Sequence, residues 1–230
     1  MREIVLDTET TGFEPSEGDR IVEIGAVELI GHMPTGRTYH QYINPQRSMP
    51  AGAFEVHGLG DDFLRDKPLF ADIAQGFLDF IGEDSHLVIH NAAFDMKFLN
   101  AELGWINRPH LPIDRAIDTV GMARRKFPGS PASLDALCRR FNIDNTARTL
   151  HGALLDSEIL AEVYLELIGG RQPDFGLGAQ QQATPGQTSE TWRPGPRPTP
   201  LPPRLTDTEI ANHDAFVAKL GDGSVWSKLS

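Results

Sequence analysis

Five side chains of this 230-residue sequence, four acids and one histidine, have the types and spacing for chemistry. Asp7 and Glu9 stand two apart, directly after the apolar run Ile4-Val5-Leu6. Residues two apart in a strand share a face, and an uninterrupted apolar run marks a strand covered on both sides. Two carboxylates at the end of such a strand repel each other and lose hydration unless a cation joins them. Asp95 closes the segment His90-Asn91-Ala92-Ala93-Phe94-Asp95 and is flanked by Phe94 and Met96, in what reads as the first turn of a helix. There it can offset the helix dipole or serve the same cation. The third segment is His151-Gly152-Ala153-Leu154-Leu155-Asp156. Five steps along a regular helix separate side chains by about 140°. His151 and Asp156 therefore converge only if the histidine precedes the helix and Gly152 breaks the chain direction. Asp156 would then sit among Leu154, Leu155, Ile159 and Leu160, where an acid requires a partner or a metal.

Hard carboxylate oxygens suit Mg²⁺ or Mn²⁺ rather than Zn²⁺. Two such ions, about 3.5–4 Å apart, can clamp the attacking and leaving oxygens of an in-line phosphoryl displacement. A neutral His151 can take a proton from the attacking water, because an imidazole titrates near working pH. The expected chemistry is metal-dependent hydrolysis of a phosphodiester. Cys138, the single cysteine, cannot form an internal disulfide or a Cys-rich zinc site. Its place in the pattern Leu134, Leu137, Cys138, Phe141 makes it a core thiol.

The elements that must position these residues follow from periodicity. Glu3–Thr8, Ile21–Leu29 and Thr38–Ile43 read as three successive strands. Leu69–Ile81 has helical apolar spacing, and Leu87-Val88-Ile89 is a short buried strand. Phe94, Phe98 and Leu103 predict a helix, Ile113–Asp118 a further strand, and 119–127, 133–141 and 152–168 three more helices. Strands first, then alternating helix and strand, predict an α/β domain with one mixed sheet flanked by helices.

Composition divides the chain after Gly169-Gly170. Residues 171–205 hold 8 of the 17 prolines and a Gln180-Gln181-Gln182 run, the pattern of a disordered, Pro-rich linker. Residues 206–230 regain helical character, with Thr206 as N-cap, Glu209 at the capping-box position and Gly221 and Gly223 as the stop. Twenty-five residues cannot form a core alone, so a short helical tail on a tether is expected to dock on another protein. Residues 1–170 carry 26 acids and 15 bases, and thus the whole formal net charge of −11; the linker is +2 and the tail −2. Binding nucleic acid by counterion release calls for a basic surface, so either nucleic acid is not the ligand or something else, metal ions or a partner protein, supplies the positive charge. The clusters Arg124-Arg125-Lys126 and Arg139-Arg140 read as solvated helix surface. No apolar run reaches the roughly 18 residues of a membrane span. The start Met1-Arg2-Glu3 through Asp7 turns acidic too soon for a secretory signal, so the expected compartment is the cytoplasm.

Asp7-Thr8-Glu9-Thr10-Thr11-Gly12, His90-Asn91-x-x-Phe94-Asp95 and His151-x₄-Asp156 resemble the three motifs of the Asp-Glu-Asp-Asp-His (DEDDh) 3′→5′ exonucleases, over about residues 3–168. Val22-Glu23-Ile24-Gly25-Ala26-Val27, Val56-His57-Gly58-Leu59 and Arg148 through Asp156 look most like the proofreading epsilon branch, which serves bacterial DNA polymerase III. The resemblance implies an RNase H-like fold. It implies Asp7, Glu9 and Asp156 as ligands of two divalent cations, Mg²⁺ or Mn²⁺, with Asp95 acting directly or through water. His151 would be the general base, and Thr11, Val56, His57 and Phe94 would line the pocket for the terminal nucleotides of a DNA 3′ end. Relatives commonly carry an acid five positions before this histidine; Gly52 stands there.

Two further resemblances concern partners. Gln172-Pro173-Asp174-Phe175-Gly176-Leu177 is similar to the peptides that bind the sliding clamp, with Gln172, Phe175 and Leu177 as contacts. The tail resembles the segment that joins such proofreading subunits to the polymerase catalytic subunit, with Phe216, Leu220 and Trp226 as anchors. A small third core subunit is a further implied partner. The division is thus 1–170 exonuclease domain, 171–205 linker with a clamp peptide at 172–177, and 206–230 docking tail. The alternative is a free-standing RNase or oligonucleotide exonuclease of the same superfamily, which would not need the linker and tail. A non-catalytic tether between clamp and polymerase is disfavoured by the five intact residues.

Overall fold

The computed structural model describes residues 1–148, 150–170 and 205–220. Its centre is a five-stranded mixed sheet in the order β3-β2-β1-β4-β5. The strands are β1 (Arg2–Thr10), β2 (Ile21–Ile30), β3 (Met33–Tyr42), β4 (His86–Ile89) and β5 (Ala116–Asp118). β1 runs antiparallel to β2 and parallel to β4, so the first acidic pair stands on the middle strand. The helices are α1 (Ala51–His57), α2 (Asp61–Leu64), α3 (Phe70–Ile81), α4 (Ala92–Trp105), α5 (Thr119–Lys126), α6 (Leu134–Phe141) and α7 (Ala153–Leu167).

Strand alternation creates two cores. Ile4, Leu6, Ile24 and Ile89 pack with Phe70 and Phe77 of α3 and Phe98 and Leu99 of α4. Val5, Val27 and Val88 point the other way, onto Leu137 and Cys138 of α6 and Leu160 and Val163 of α7. Cys138 is fully buried. At Gly25 the sheet and α7 meet backbone to backbone: a Cβ there would lie 2.1 Å from the Ala153 carbonyl carbon and the Leu154 nitrogen. Ser157 Oγ donates to the Gly25 carbonyl at 2.9 Å. Only glycine lets the first turn of α7 come this close to β2, and that turn carries Asp156.

Four elements differ from the sequence reading. β3 begins at Met33 rather than Thr38 and includes Pro34. It is an edge strand, where a missing N–H costs nothing in the ladder. Residues Ile113–Arg115 form a 3₁₀ turn, which shortens the expected strand 113–118 to Ala116–Asp118. Helices α1 and α2 were not anticipated.

Residues 205–220 form a separate element, α8 (Asp207–Lys219), whose Thr206 and Glu209 make the expected capping box. The helix ends at Lys219, with Leu220 as its C-cap, ahead of the glycines read as its stop. Gln172, Phe175, Leu177, Trp226 and those glycines lie outside the described residues. Among the described residues, no helix is long and apolar enough to cross a membrane.

Candidate active site

The C-terminal end of β1, the start of α4 and the start of α7 meet at a cleft of about 840 Å³, lined by Asp7, Glu9, Asp95 and His151. Its walls include Thr11, Val56, His57 and Phe94. The structure thus gathers all four pocket residues expected from the resemblance. Each acid arrives for a local reason. The two-residue period of β1 aims Asp7 and Glu9 together, on the side that Val5 shares with α7. Asn91, left-handed at φ 71°, turns the chain from β4 into α4 and places Asp95 in its first turn. Gly152, extended at φ −158°, is the N-cap of α7, with His151 outside the helix and Asp156 in its first turn. His151 Nδ1 is 3.6 Å from Asp156 Oδ2, the convergence that the spacing required.

The cluster is electrostatically unsatisfied. Burial first, and then Asp95, Glu9 and Asp156, hold the Asp7 carboxyl well above the usual carboxylate range. Glu9 is pushed up to about 8 by burial, followed by repulsion from Asp156, Glu23 and Asp95. Asp95 rises to about 7 because burial outweighs the hydrogen bonds it accepts. Glu9 Oε1 is buried without a hydrogen-bond partner. Atoms of Glu9, His151 and Asp156 that could bind a metal lie within 4.8 Å of one another. Acids repelling one another, with a buried oxygen facing no donor, form a site suited to divalent cations.

Two members of the site escaped the sequence reading. Thr8 points to the opposite side from its neighbours and donates from Oγ1 to Asp95 Oδ1 at 2.7 Å; its signal was the same two-residue period. Arg148 is the partner that Asp156 required. Its Nε donates to Asp156 Oδ1, and its Nη2 donates to Oδ2 at 2.8 Å. The same Nη2 lies 2.9 Å from His151 Nδ1. An acid on an apolar stripe, with an arginine eight residues before it, was the available clue.

The pocket wall combines apolar and polar groups. Phe13 is 83% exposed at the rim and meets Phe94 edge-on, with ring centroids 6.4 Å apart. His57 accepts from the Leu59 N–H at Nδ1 (3.0 Å), while its Nε2 is buried and unpartnered. Burial lowers the pKa of His57. Thr11 Oγ1 donates to Asp19 Oδ1 at 3.0 Å. A Cβ at Gly52 would meet nothing within 4 Å, so this position leaves the cleft open. His151 is tied to the same wall, because its N–H donates to the Val56 carbonyl at 3.1 Å. The basic clusters lie elsewhere: Lys126 caps the Glu166 and Leu167 carbonyls at the end of α7, and Arg140 stacks over Phe127.

Comparison with known proteins places this arrangement. The family model described as Exonuclease matches residues 4–164. The DNA polymerase III subunit epsilon of Rickettsia felis is 48% identical over 223 residues, covering 96% of this chain and 97% of that protein. Its Escherichia coli counterpart is 43% identical over 236 residues, covering 98% and 97%. Among solved structures, exonuclease X in complex with 5′-overhanging duplex DNA aligns with a TM-score of 0.57 and 27% identity, over 72% of this chain and 90% of that one. The nuclease domain of 3′hExo, a DEDDh family member bound to rAMP, shares the fold with a TM-score of 0.62 at 20% identity, over 73% and 91%.

Proposed function

The chain belongs to the exonuclease family, and from that premise we propose that it is the 3′→5′ proofreading exonuclease of a bacterial DNA polymerase III, removing mismatched 3′ nucleotides from DNA. The observation that carries this reading is the cleft lined by Asp7, Glu9, Asp95 and His151, with Asp156 within 4.8 Å of ligand atoms of Glu9 and His151, in a chain alike over nearly its full length to subunits named epsilon.

Asp7, Glu9 and Asp156, with Asp95 beside them, are the residues to hold two Mg²⁺ or Mn²⁺ ions. The partnerless Glu9 Oε1 and the raised carboxyls are what such ions would relieve. When bound, divalent cations supply Lewis acidity and neutralise charge developing on the phosphate. The protein's own groups do the rest. His151 has its pKa lowered by burial and then by Arg148, so it is neutral at pH 7 and able to accept a proton. Phe13, Val56 and Phe94 offer apolar surface to a terminal base, and His57 Nε2 offers one unsatisfied polar atom. A frayed 3′ end enters such a cleft more readily because less unpairing energy is spent, as for damaged bases in flipping enzymes.

The remaining segments fit a replicase subunit better than a free-standing nuclease. Phe216 and Leu220 are exposed on and after α8 and suit anchoring to a polymerase subunit. Residues 172–177 are our candidate for the clamp. The experiment for the core reading is 3′-labelled DNA with Mg²⁺. Asp7→Ala with Glu9→Ala is expected to abolish nucleotide release, and retained Mg²⁺-dependent release would refute the metal assignment.

A further inference from the structure

We propose that Lys97 is a positioning residue for the terminal nucleotide and acts through Phe13: it fixes the loop that holds the Phe13 ring at the mouth of the cleft, against Phe94. This inference rests on the exonuclease reading above and extends it to a residue outside the pocket lining. Phe13 lines the cleft and is 83% exposed. Apolar side chains scattered singly on a surface need no explanation; one carried on a loop fastened from two sides does. On one side the Asp19 carboxylate accepts from Thr11 Oγ1 at 3.0 Å, from the Glu14 N–H at 3.1 Å and from Arg47 Nη1 at 2.7 Å. On the other, Lys97 Nζ donates to the Phe13 carbonyl at 2.9 Å and to Glu14 Oε2 at 3.0 Å.

The period of α4 places Lys97 for this task. It follows Phe94 by three residues, so both project from one face of the helix, and its Nζ lies 6.0 Å and 5.8 Å from the ring centroids of Phe94 and Phe98. Phe94 in turn meets the Phe13 ring edge-on, with centroids 6.4 Å apart. Helix, lysine, loop backbone and the two rings thus form one closed arrangement, in which the lysine head joins α4 to the Phe13 carbonyl. An exposed ion pair such as Lys97–Glu14 adds little stability, so holding the fold together is a poor account of it. Holding the ring is a better one. Aromatic side chains bind an unpaired base by stacking, and a ring on an ordered backbone loses less freedom when the base arrives. On a loose loop the nucleotide itself would have to order the ring.

Steady-state release of the 3′ nucleotide from a labelled single-stranded oligonucleotide, by the full-length protein with Mg²⁺, is the test. Lys97→Met keeps the apolar stem beside Phe94 and removes the donors. It is expected to raise KM about three- to tenfold, part of one base-stacking contact, while kcat changes by less than about twofold. Phe13→Ala should raise KM at least as far. Lys97 holds the backbone carbonyl, which Phe13→Ala keeps, so the double variant decides: it should be no worse than Phe13→Ala alone. Additive losses would overturn the inference, because they would mean that Lys97 touches the nucleic acid directly. So would an unchanged KM in Lys97→Met, or a fall in kcat at constant KM, the mark of a disturbed Asp95 two residues earlier on α4. Each of these outcomes leaves wild-type release intact; no release by the wild type would sink the exonuclease reading and this inference together.

Discussion

The unsatisfied acids of the cleft have a measurable thermodynamic consequence in metal-free protein. Glu9 carries a carboxyl raised from 4.5 to about 8, and Asp95 one raised from 3.8 to about 7. Between pH 5 and 7 the folded state therefore keeps protons that the unfolded chain has released. Stability then falls with rising pH, by about 1.4 kcal/mol per pH unit for each such group. Glu9's contribution is fully present below about pH 4.5 and is lost as the pH rises through 8. The perturbation is Glu9→Gln, nearly isosteric and unable to ionise. Glu9 is 7% exposed, so solvent screening removes little of the effect. Urea unfolding in EDTA, followed by far-UV circular dichroism from pH 5.5 to 8.5, is the assay. The wild type should lose stability across this range, and Glu9→Gln should flatten the slope by about 1.4 kcal/mol per unit. At pH 8.5 the variant should be the more stable by about 5 kcal/mol, the free-energy equivalent of the rise from 4.5 to about 8. Saturating Mg²⁺ should abolish the wild-type loss, because metal binds the ionised carboxylates and stabilises the state that holds it. Equal slopes for the two proteins in EDTA, or a variant less stable than wild type at pH 8.5, would refute the claim that repulsion and burial dominate this cluster.

His151→Ala should lower the rate of 3′-nucleotide release by about 10²–10⁴ while Mn²⁺ binding is largely kept; an unchanged rate would remove it as the base. Gly25→Ala drives a methyl into the α7 backbone and should cost about 3 kcal/mol of stability, read by urea unfolding; a silent substitution would contradict the close approach. Deleting residues 206–230 should leave nuclease activity intact while abolishing co-purification with a polymerase catalytic subunit, and persistent association would refute the docking role of the tail.

What the sequence made legible was whatever repeats with a period. Asp7 and Glu9 could be placed because β1 is the middle strand, apolar at Ile4, Val5 and Leu6. His151 and Asp156 could be placed because a spacing of five allows only one geometry. Helix α1 has no such mark: its N-cap is Pro50 without a side-chain cap, and its Phe54 and Val56 are exposed rather than forming a buried stripe. It is nonetheless the element that delivers Val56 and His57 to the cleft, so their place was found through resemblance rather than periodicity. Pro34 and Gly36 hid the start of β3, because proline and glycine read as turn until the strand is known to lie at an edge. Arg148 was hidden for a different reason. A lone arginine carries no periodic signature, and only the three-dimensional meeting of loop and helix shows which acid it serves.

The same inward use of cations explains how an acidic domain can act on DNA. Arg2 and Arg37 serve buried Glu28, Arg20 binds buried Glu102 with both ends of its fork, and Arg148 serves Asp156. Lys126 caps α7, and Arg140 covers Phe127. These six basic residues of the 15 in residues 1–170 are thus committed to folding or to the site rather than offered to a phosphate backbone. Affinity for DNA by counterion release scales with the number of phosphates neutralised, and these six residues add little to that. What the domain presents instead is the cleft lined by Asp7, Glu9, Asp95, Phe13, Val56, His57 and Phe94, which on the reading proposed above would take metal and the terminal nucleotides. Weak hold along the duplex and specific capture of the end would suit the tethered proofreader proposed above. A strong backbone grip of its own would compete with the polymerase for the primer terminus, whereas a tether raises the local concentration of the cleft without opposing that grip.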